Sequence, residues 1–169
     1  MLGHLEKLLS LAINVRPGDV ILVRGSTWID RTIQGITRSR YSHVAGIIKQ
    51  NEIIDLLPFS KAGYRNLWLY AGQADVFTCD TLTEEQRKKI VNNVIGKVGT
   101  SYDYLLLIWQ VSRYLLNWEW SYENTKHSLC STLWADAYRK VGVELCPDVA
   151  YPSPGDLADS RLLRQVWSY

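Results

Sequence analysis

The sequence predicts an α+β domain in which strands fill the first half of the chain and helices dominate the second. Three observations carry this reading. Short β-branched runs bounded by Gly, Pro, Asn and Asp recur between Val20 and Cys79. From Thr83 onward the pattern changes to helical spacing with capping signals. No repeat or linker divides the 169 residues, so 1–169 are expected to form one domain.

Taken in order, Met1 to Val15 places Leu2, Leu5, Leu8, Leu9 and Ala12 at helical spacing, broken by Glu6 and Lys7. This predicts a short amphipathic helix rather than a secretory signal, which needs a longer apolar stretch and a small-residue cleavage site. Arg16-Pro17-Gly18-Asp19 is a turn, and Val20 to Val23 is a buried strand that opens the sheet. Ser26 and Thr27 can cap a helix running to about Thr37, with Trp28, Ile29, Ile33 and Ile36 as its apolar face. Ser42–Ile48 and Glu52–Leu56, joined by Lys49-Gln50-Asn51, read as a β-hairpin. Further strands are expected at Tyr64–Tyr70 and Ala74–Cys79. The capping box Thr83-Glu84-Glu85-Gln86 then starts a helix to about Val98.

Tyr102 to Trp118 is strongly apolar but carries Asp103, Gln110 and Arg113, short of the ~20 apolar residues that span a bilayer. A packed or interfacial helix is expected there. From Ser128 to Val141 the spacing of Leu133, Trp134, Ala137, Tyr138 and Val141 predicts a helix stopped by Gly142, with Cys130 in its first turn. A short helix begins at Pro152-Ser153-Pro154-Gly155-Asp156-Leu157, and Leu162 to Trp167 returns as an edge strand.

Composition narrows the function. With 47% hydrophobic and 21% charged residues the chain is globular, and a net charge of +2 with scattered cations leaves no basic stripe for nucleic acid. Arg38-Ser39-Arg40 and Arg87-Lys88-Lys89 are expected on the solvated surface. Seven Trp and ten Tyr against two Phe favour rings with a polar handle, which suit a cleft or a wet core edge. Cys79, Cys130 and Cys146 form an odd set without CxxC spacing. His4, His43 and His127 share no ligand-like spacing with them, so neither a disulfide framework nor a metal site is expected. The simplest setting is reducing and cytoplasmic, or one reached without a standard signal, as a phage or effector protein would reach it.

Cys130 stands out by position. Amides and dipole at a helix N-terminus favour a thiolate, the reactive form of cysteine, over a thiol. The alternative is a small buried hydrophobe, the role assigned to Cys79 and Cys146. His43 opens a strand among apolar neighbours, where a histidine is either a base or a satisfied core residue.

The segments in combination point further. Pro17-Gly18-Asp19-Val20-Ile21-Leu22-Val23, Tyr41-Ser42-His43-Val44-Ala45-Gly46-Ile47-Ile48 and Glu52-Ile53-Ile54-Asp55 resemble the histidine-bearing strand series of NlpC/P60 cysteine peptidases. In those enzymes the cysteine helix comes first, whereas here Tyr102-Asp103-Tyr104 and the run from Leu129-Cys130-Ser131 to Gly142-Val143 follow. This order resembles the permuted papain-like amidases of the YiiX-like group, and Ser153 to Ala158 extends the likeness over most of the chain from Pro17 onward.

The resemblance implies a circularly permuted papain-like fold, a mostly antiparallel sheet or half-barrel packed against the cysteine helix. It implies Cys130 as nucleophile, His43 as general base and Asp55 as the group that orients the imidazole. Asp stands at 55 where relatives carry Glu or His, and a strand-end solvent carboxylate is the alternative for it. Tyr102 matches a tyrosine that helps polarise the scissile carbonyl beside the Cys130 backbone N–H, and the long insertion that follows leaves Tyr104 as its rival. The implied function is cofactor-free hydrolysis of an amide or peptide bond through a thioester. The substrate would be a peptide, a peptidoglycan fragment or an acyl-containing small molecule. A lipid-acyl hydrolase or acyltransferase using the same dyad, and an inactive ligand-binding domain, are the alternatives.

Overall fold

The computed structural model of the chain describes residues 15–102 and 127–168. The expected Met1–Val15 helix lies outside them but for Val15, and the expected Tyr102–Trp118 helix lies outside them beyond Tyr102. The described residues form an α+β structure around an open six-stranded sheet in which every neighbour is antiparallel. Its strands are β1 (Val20–Val23), β2 (His43–Lys49), β3 (Glu52–Asp55), β4 (Gly63–Asn66), β5 (Ala74–Thr78) and, after all the helices, a last strand at Arg164–Ser168. The spatial order is β4-β3-β2-β1-β5 and then the last strand, so the strand expected near Leu162–Trp167 does sit at an edge. Ser101–Tyr102 (β6) and His127–Ser128 (β7) form a separate parallel pair, which makes Arg164–Ser168 β8.

Side-chain alternation gives this sheet two apolar faces. Val20, Leu22, Val44 and Ile54 face one core with Ile90 and Val94 of helix α2 (Glu84–Ile95) and Leu133, Trp134 and Tyr138 of helix α3 (Cys130–Arg139). Ile21, Val23, Ala45, Ile47, Ile53 and Val76 face a second with Leu67, Tyr70 and Trp167. Strands β1 and β5 are buried along their whole length. Such unbroken apolar runs are what a strand covered on both faces requires.

Local chemistry sets the ends of the elements. Asn51 takes φ +62° in the β2–β3 turn, where the left-handed region suits a short polar side chain. Helix α1 (Trp28–Thr37) starts at a capping box of Thr27 with Asp30, and α2 at one of Thr83 with Gln86. Helix α2 stops at Ile95, with Gly96 as its C-cap, three residues before the expected end. Ser153 and Asp156 cap α4 (Pro154–Ala158).

Three expectations are corrected. The strand expected over Tyr64–Tyr70 ends at Asn66, whose side chain accepts from the Trp68 N–H at 2.9 Å and turns Leu67–Tyr70 into a 3-10 helix. The apolar face of α1 is only partly covered, with Ile29, Ile33 and Ile36 half-buried and Trp28 77% exposed. Arg87 is not on the surface with its lysine neighbours: it is fully buried, donating from Nη1 to Asp19 Oδ1 at 2.7 Å. Its Nη2 donates to Thr78 Oγ1 and the Cys79 carbonyl, so the turn before β1 is bolted to α2.

The two halves of the chain pack closely at Gly46 of β2. A Cβ there would lie 2.4 Å from the Trp134 ring, which is itself fully buried. Only a glycine lets α3 rest this near the strand. Gly46→Ala gains roughly 0.4–1 kcal/mol from the unfolded chain but incurs the upper part of a ~1–3 kcal/mol overpacking cost. It is expected to lower Tm by roughly 2–10 °C, read by thermal unfolding. Arg87→Met leaves Asp19 as an uncompensated buried carboxylate and is expected to cost about 3–5 kcal/mol in urea titration.

Candidate active site

The β2–β3 hairpin places two of the expected site residues. Ala45 lies directly opposite Asp55, so His43 is the diagonal neighbour of Asp55 on the same face. The side chains meet: His43 Nε2 lies 2.5 Å from Asp55 Oδ1. Asp55 is 1% exposed, which removes the reading of a solvent carboxylate. The other ring nitrogen is not used by Asp55, and the Cys130 side chain lies near enough to the imidazole to act on its charge.

Cys130 is the first residue of α3. Leu129, the N-cap, has no side chain able to cap the helix, and its own N–H donates to Thr132 Oγ1 at 2.9 Å. The first turn of α3 therefore receives no cap from its N-cap side chain. The chain enters this helix from β7, whose Ser128 is in register with Tyr102 of β6. The backbone of Tyr102 thus runs beside the residue two before Cys130. Tyr104 lies outside the described residues. Cys79 and Cys146 form no disulfide and are buried in the core, with the Cys79 sulfur 3.2 Å from Thr81 Oγ1 and the Cys146 thiol donating to the Asp156 carbonyl at 3.4 Å.

Tyr70 belongs to the site and was not anticipated. From the end of the 3-10 helix its hydroxyl donates to Asp55 Oδ2 at 2.5 Å, and its ring lies 5.9 Å from the imidazole. Each Asp55 oxygen therefore has a partner, and a chain of contacts runs Cys130–His43–Asp55–Tyr70. A signal for it was present in Asn66 just before Leu67-Trp68-Leu69-Tyr70, since asparagine at that place starts a helical turn.

A second polar cluster holds the strand end. The Ser42 N–H donates to the Val23 carbonyl at 2.9 Å, and its hydroxyl donates to Asp30 Oδ1 at 2.7 Å. The Gly25 N–H donates to the Ser42 hydroxyl. A Cβ at Gly25 would collide with the Asp30 carboxylate, so this contact too depends on a glycine.

The site's electrostatics follow from burial and pairing. Burial alone would depress the His43 pKa, but the Asp55 carboxylate, and after it the Cys130 sulfur, raise it well above the usual histidine value. For Asp55, burial pushes upward and the His43 charge with the His43 and Tyr70 hydrogen bonds outweighs it, leaving the carboxyl below its ordinary range. Burial, then the Asp55 charge, pushes Tyr70 far up, so it stays a hydrogen-bond donor. The arrangement sets the imidazole between a carboxylate and a sulfur, shielded from water.

Comparison with known proteins adds the fold. No protein-family model matches the chain, and no curated protein matches it. The crystal structure of metalloprotein yiiX from Escherichia coli O157:H7 is similar to it, with a TM-score of 0.56 and 18% identity over 92% of this chain and 99% of that one. At this identity the likeness concerns the fold alone. Among the described residues, no group of three or more His, Cys, Asp or Glu could hold a metal ion, and no helix is long and apolar enough to cross a membrane.

The His43–Asp55 pair makes stability depend on pH in a defined window. A raised histidine pKa gives stabilisation that is complete below the unfolded value of about 6.5 and lost as pH rises through the folded value. A lowered carboxyl pKa gives stabilisation that is complete above about 3.9 and lost as pH falls through the folded value. The stability difference between wild type and Asp55→Asn is therefore expected to peak between about pH 4 and 6.5 and to shrink on both sides. Urea unfolding across pH measures it, and a difference that does not vary with pH would contradict the pairing.

Proposed function

We propose that this chain is a cysteine hydrolase with a circularly permuted papain-like fold, cleaving an amide or peptide bond through an acyl-enzyme thioester. The observation that carries the proposal is the His43 ring, held by Asp55 on one nitrogen with the Cys130 side chain near enough to act on its charge. The likeness in fold to yiiX supports the architecture without bearing on the activity.

In this reading the Cys130 sulfur attacks the carbonyl carbon, and charge develops on the carbonyl oxygen. The Cys130 backbone N–H, at the uncapped N-terminus of α3, is the nearest donor for that oxyanion, with Tyr102 as its partner. As the tetrahedral intermediate collapses, the imidazolium gives its proton to the leaving amine and the C–N bond breaks, leaving a thioester. His43 then takes a proton from water, the hydroxide adds to the thioester, and the C–S bond breaks to release the acid and restore the sulfur beside the imidazolium. Asp55 touches no reacting atom. It fixes the imidazole and stabilises its charge, and Tyr70 fixes Asp55 in turn.

The neighbour is described as a metalloprotein. The described residues here do not fit a metal, since Asp55 and one nitrogen of His43 are spent on each other. No step is routed through one.

The test is mass spectrometry after incubation with acyl-type cysteine probes, comparing the three cysteines. Cys130 is expected to acylate and Cys79 and Cys146 not. Cys130→Ala and His43→Ala should abolish acylation and turnover. Asp55→Asn should lower kcat about 10- to 10⁴-fold with a smaller change in KM, and Asp55→Glu should restore part of it. If His43→Ala acylates as fast as wild type at matched folded fraction, the dyad is wrong.

A further inference from the structure

Asp19, Asp55 and Asp75 are all fully buried, and their partners divide them. Asp19 contacts the Arg87 guanidinium and Asp75 those of Arg24 and Arg40, groups that stay charged wherever the protein folds. Asp55 contacts His43 and Tyr70 instead. An imidazole can lose its charge and the phenol carries none, so a neutral His43 leaves Asp55 as a buried anion with hydrogen bonds but no cation in contact. A carboxylate so placed tends to take up a proton unless a permanent positive charge lies nearby.

Strand β4 brings one. Gly63 lies opposite Asp55 and Arg65 opposite Ile53, so Arg65 and Asp55 are diagonal neighbours on one face of the β3–β4 pair. Such neighbours are roughly 7–8 Å apart, within the span of a long side chain. The chain then turns into the Leu67–Tyr70 3-10 helix, whose Leu67 and Tyr70 pack with Ile53 on that same face. Arg65 is half-buried and has no ion-pair partner among the described residues. Glu52, the other acid of β3, lies on the opposite face and pairs with Lys49 at 3.0 Å.

Both Asp55 oxygens are already taken, so Arg65 acts on the carboxylate through space. After burial, which opposes it, and the His43 and Tyr70 contacts, the Arg65 charge is a further influence that holds the Asp55 carboxyl low. Two other charged or titratable groups face the pair among the described residues: Cys130 of α3, which supports a charged imidazole, and Asp30 of α1, which feels the His43 charge.

We propose that Arg65 is a positioning residue, a fixed cation that keeps Asp55 ionised without bonding to it while His43 gains and loses its proton. Its use in turnover rests on the hydrolase reading, whereas its effect on the His43–Asp55 pair does not.

NMR titration of the full chain tests it, following the His43 Cε1–H signal, identified by its loss in His43→Ala, and the Asp55 carboxyl carbon, identified by its loss in Asp55→Asn. Removing a cation should raise both midpoints: Arg65→Gln is expected to move each up by about 0.5–1 in pH, and Arg65→Lys to keep both within about 0.3 of wild type. Lys88→Gln removes an equal charge from the exposed side of α2 and should move neither. Far-UV circular dichroism checks the fold of each variant, and Arg65→Met, which keeps the packing of the stem, takes the place of Arg65→Gln if that variant does not fold. On the hydrolase reading, the alkaline limb of Cys130 acylation by the acyl-type probes should rise in Arg65→Gln together with the His43 midpoint. Raised midpoints in Arg65→Gln with no acylation of wild-type Cys130 would uphold the role of Arg65 and end the hydrolase reading. Unchanged midpoints in folded Arg65→Gln, or a shift at His43 with none at Asp55, overturn the proposal whether or not Cys130 acylates.

Discussion

The approach of Trp134 to Gly46 is the contact on which the rest of the arrangement depends. It seats α3 against β2, and those two elements carry Cys130 and His43 respectively. Any side chain at position 46 would lift the helix by an amount comparable with the reach of a hydrogen bond. The indole, fully buried among residues of both halves, cannot swing aside to absorb the difference. Packing and site geometry are therefore one constraint, enforced by the absence of a single methyl group.

Two buried acidic residues answer the same physical problem differently. Asp19 meets an always-charged guanidinium, with Thr78, the Arg16 N–H and backbone carbonyls joining turn, sheet and α2 in one network. It serves as a fixed brace, since a guanidinium keeps its charge where proteins operate. Asp55 meets an imidazole instead, whose charge can change within the range where proteins operate. The Tyr70 hydroxyl keeps that carboxylate satisfied when the histidine proton moves, which a pair without a third member could not do.

Much of the sheet was legible because β-branched runs between turn residues have few other uses. The hairpin of His43–Lys49 and Glu52–Asp55, the capping boxes at Thr27 and Thr83 and the helix starting at Cys130 all follow from local pattern. What was not legible depends on distant partners. Arg87 sits in a run of three cations that reads as surface, and only Asp19, far away in sequence, explains why it is buried. Tyr70 looked like the end of a strand because a two-residue alternation and a single 3-10 turn share residue types over so short a run.

The chain order has a kinetic meaning. Strands β1, β2 and β3 are neighbours in sequence and can pair early, since hairpin closure spans little chain. The helix that covers one face of that sheet belongs to the other half of the sequence, so Leu22, Val44 and Ile54 must wait for Leu133, Trp134 and Tyr138. During synthesis the first half emerges with that apolar surface bare, a window in which wrong association competes with correct docking. The same delay keeps sulfur and imidazole apart until α3 has left the ribosome, so their pairing is among the last events of folding rather than a property of any early fragment.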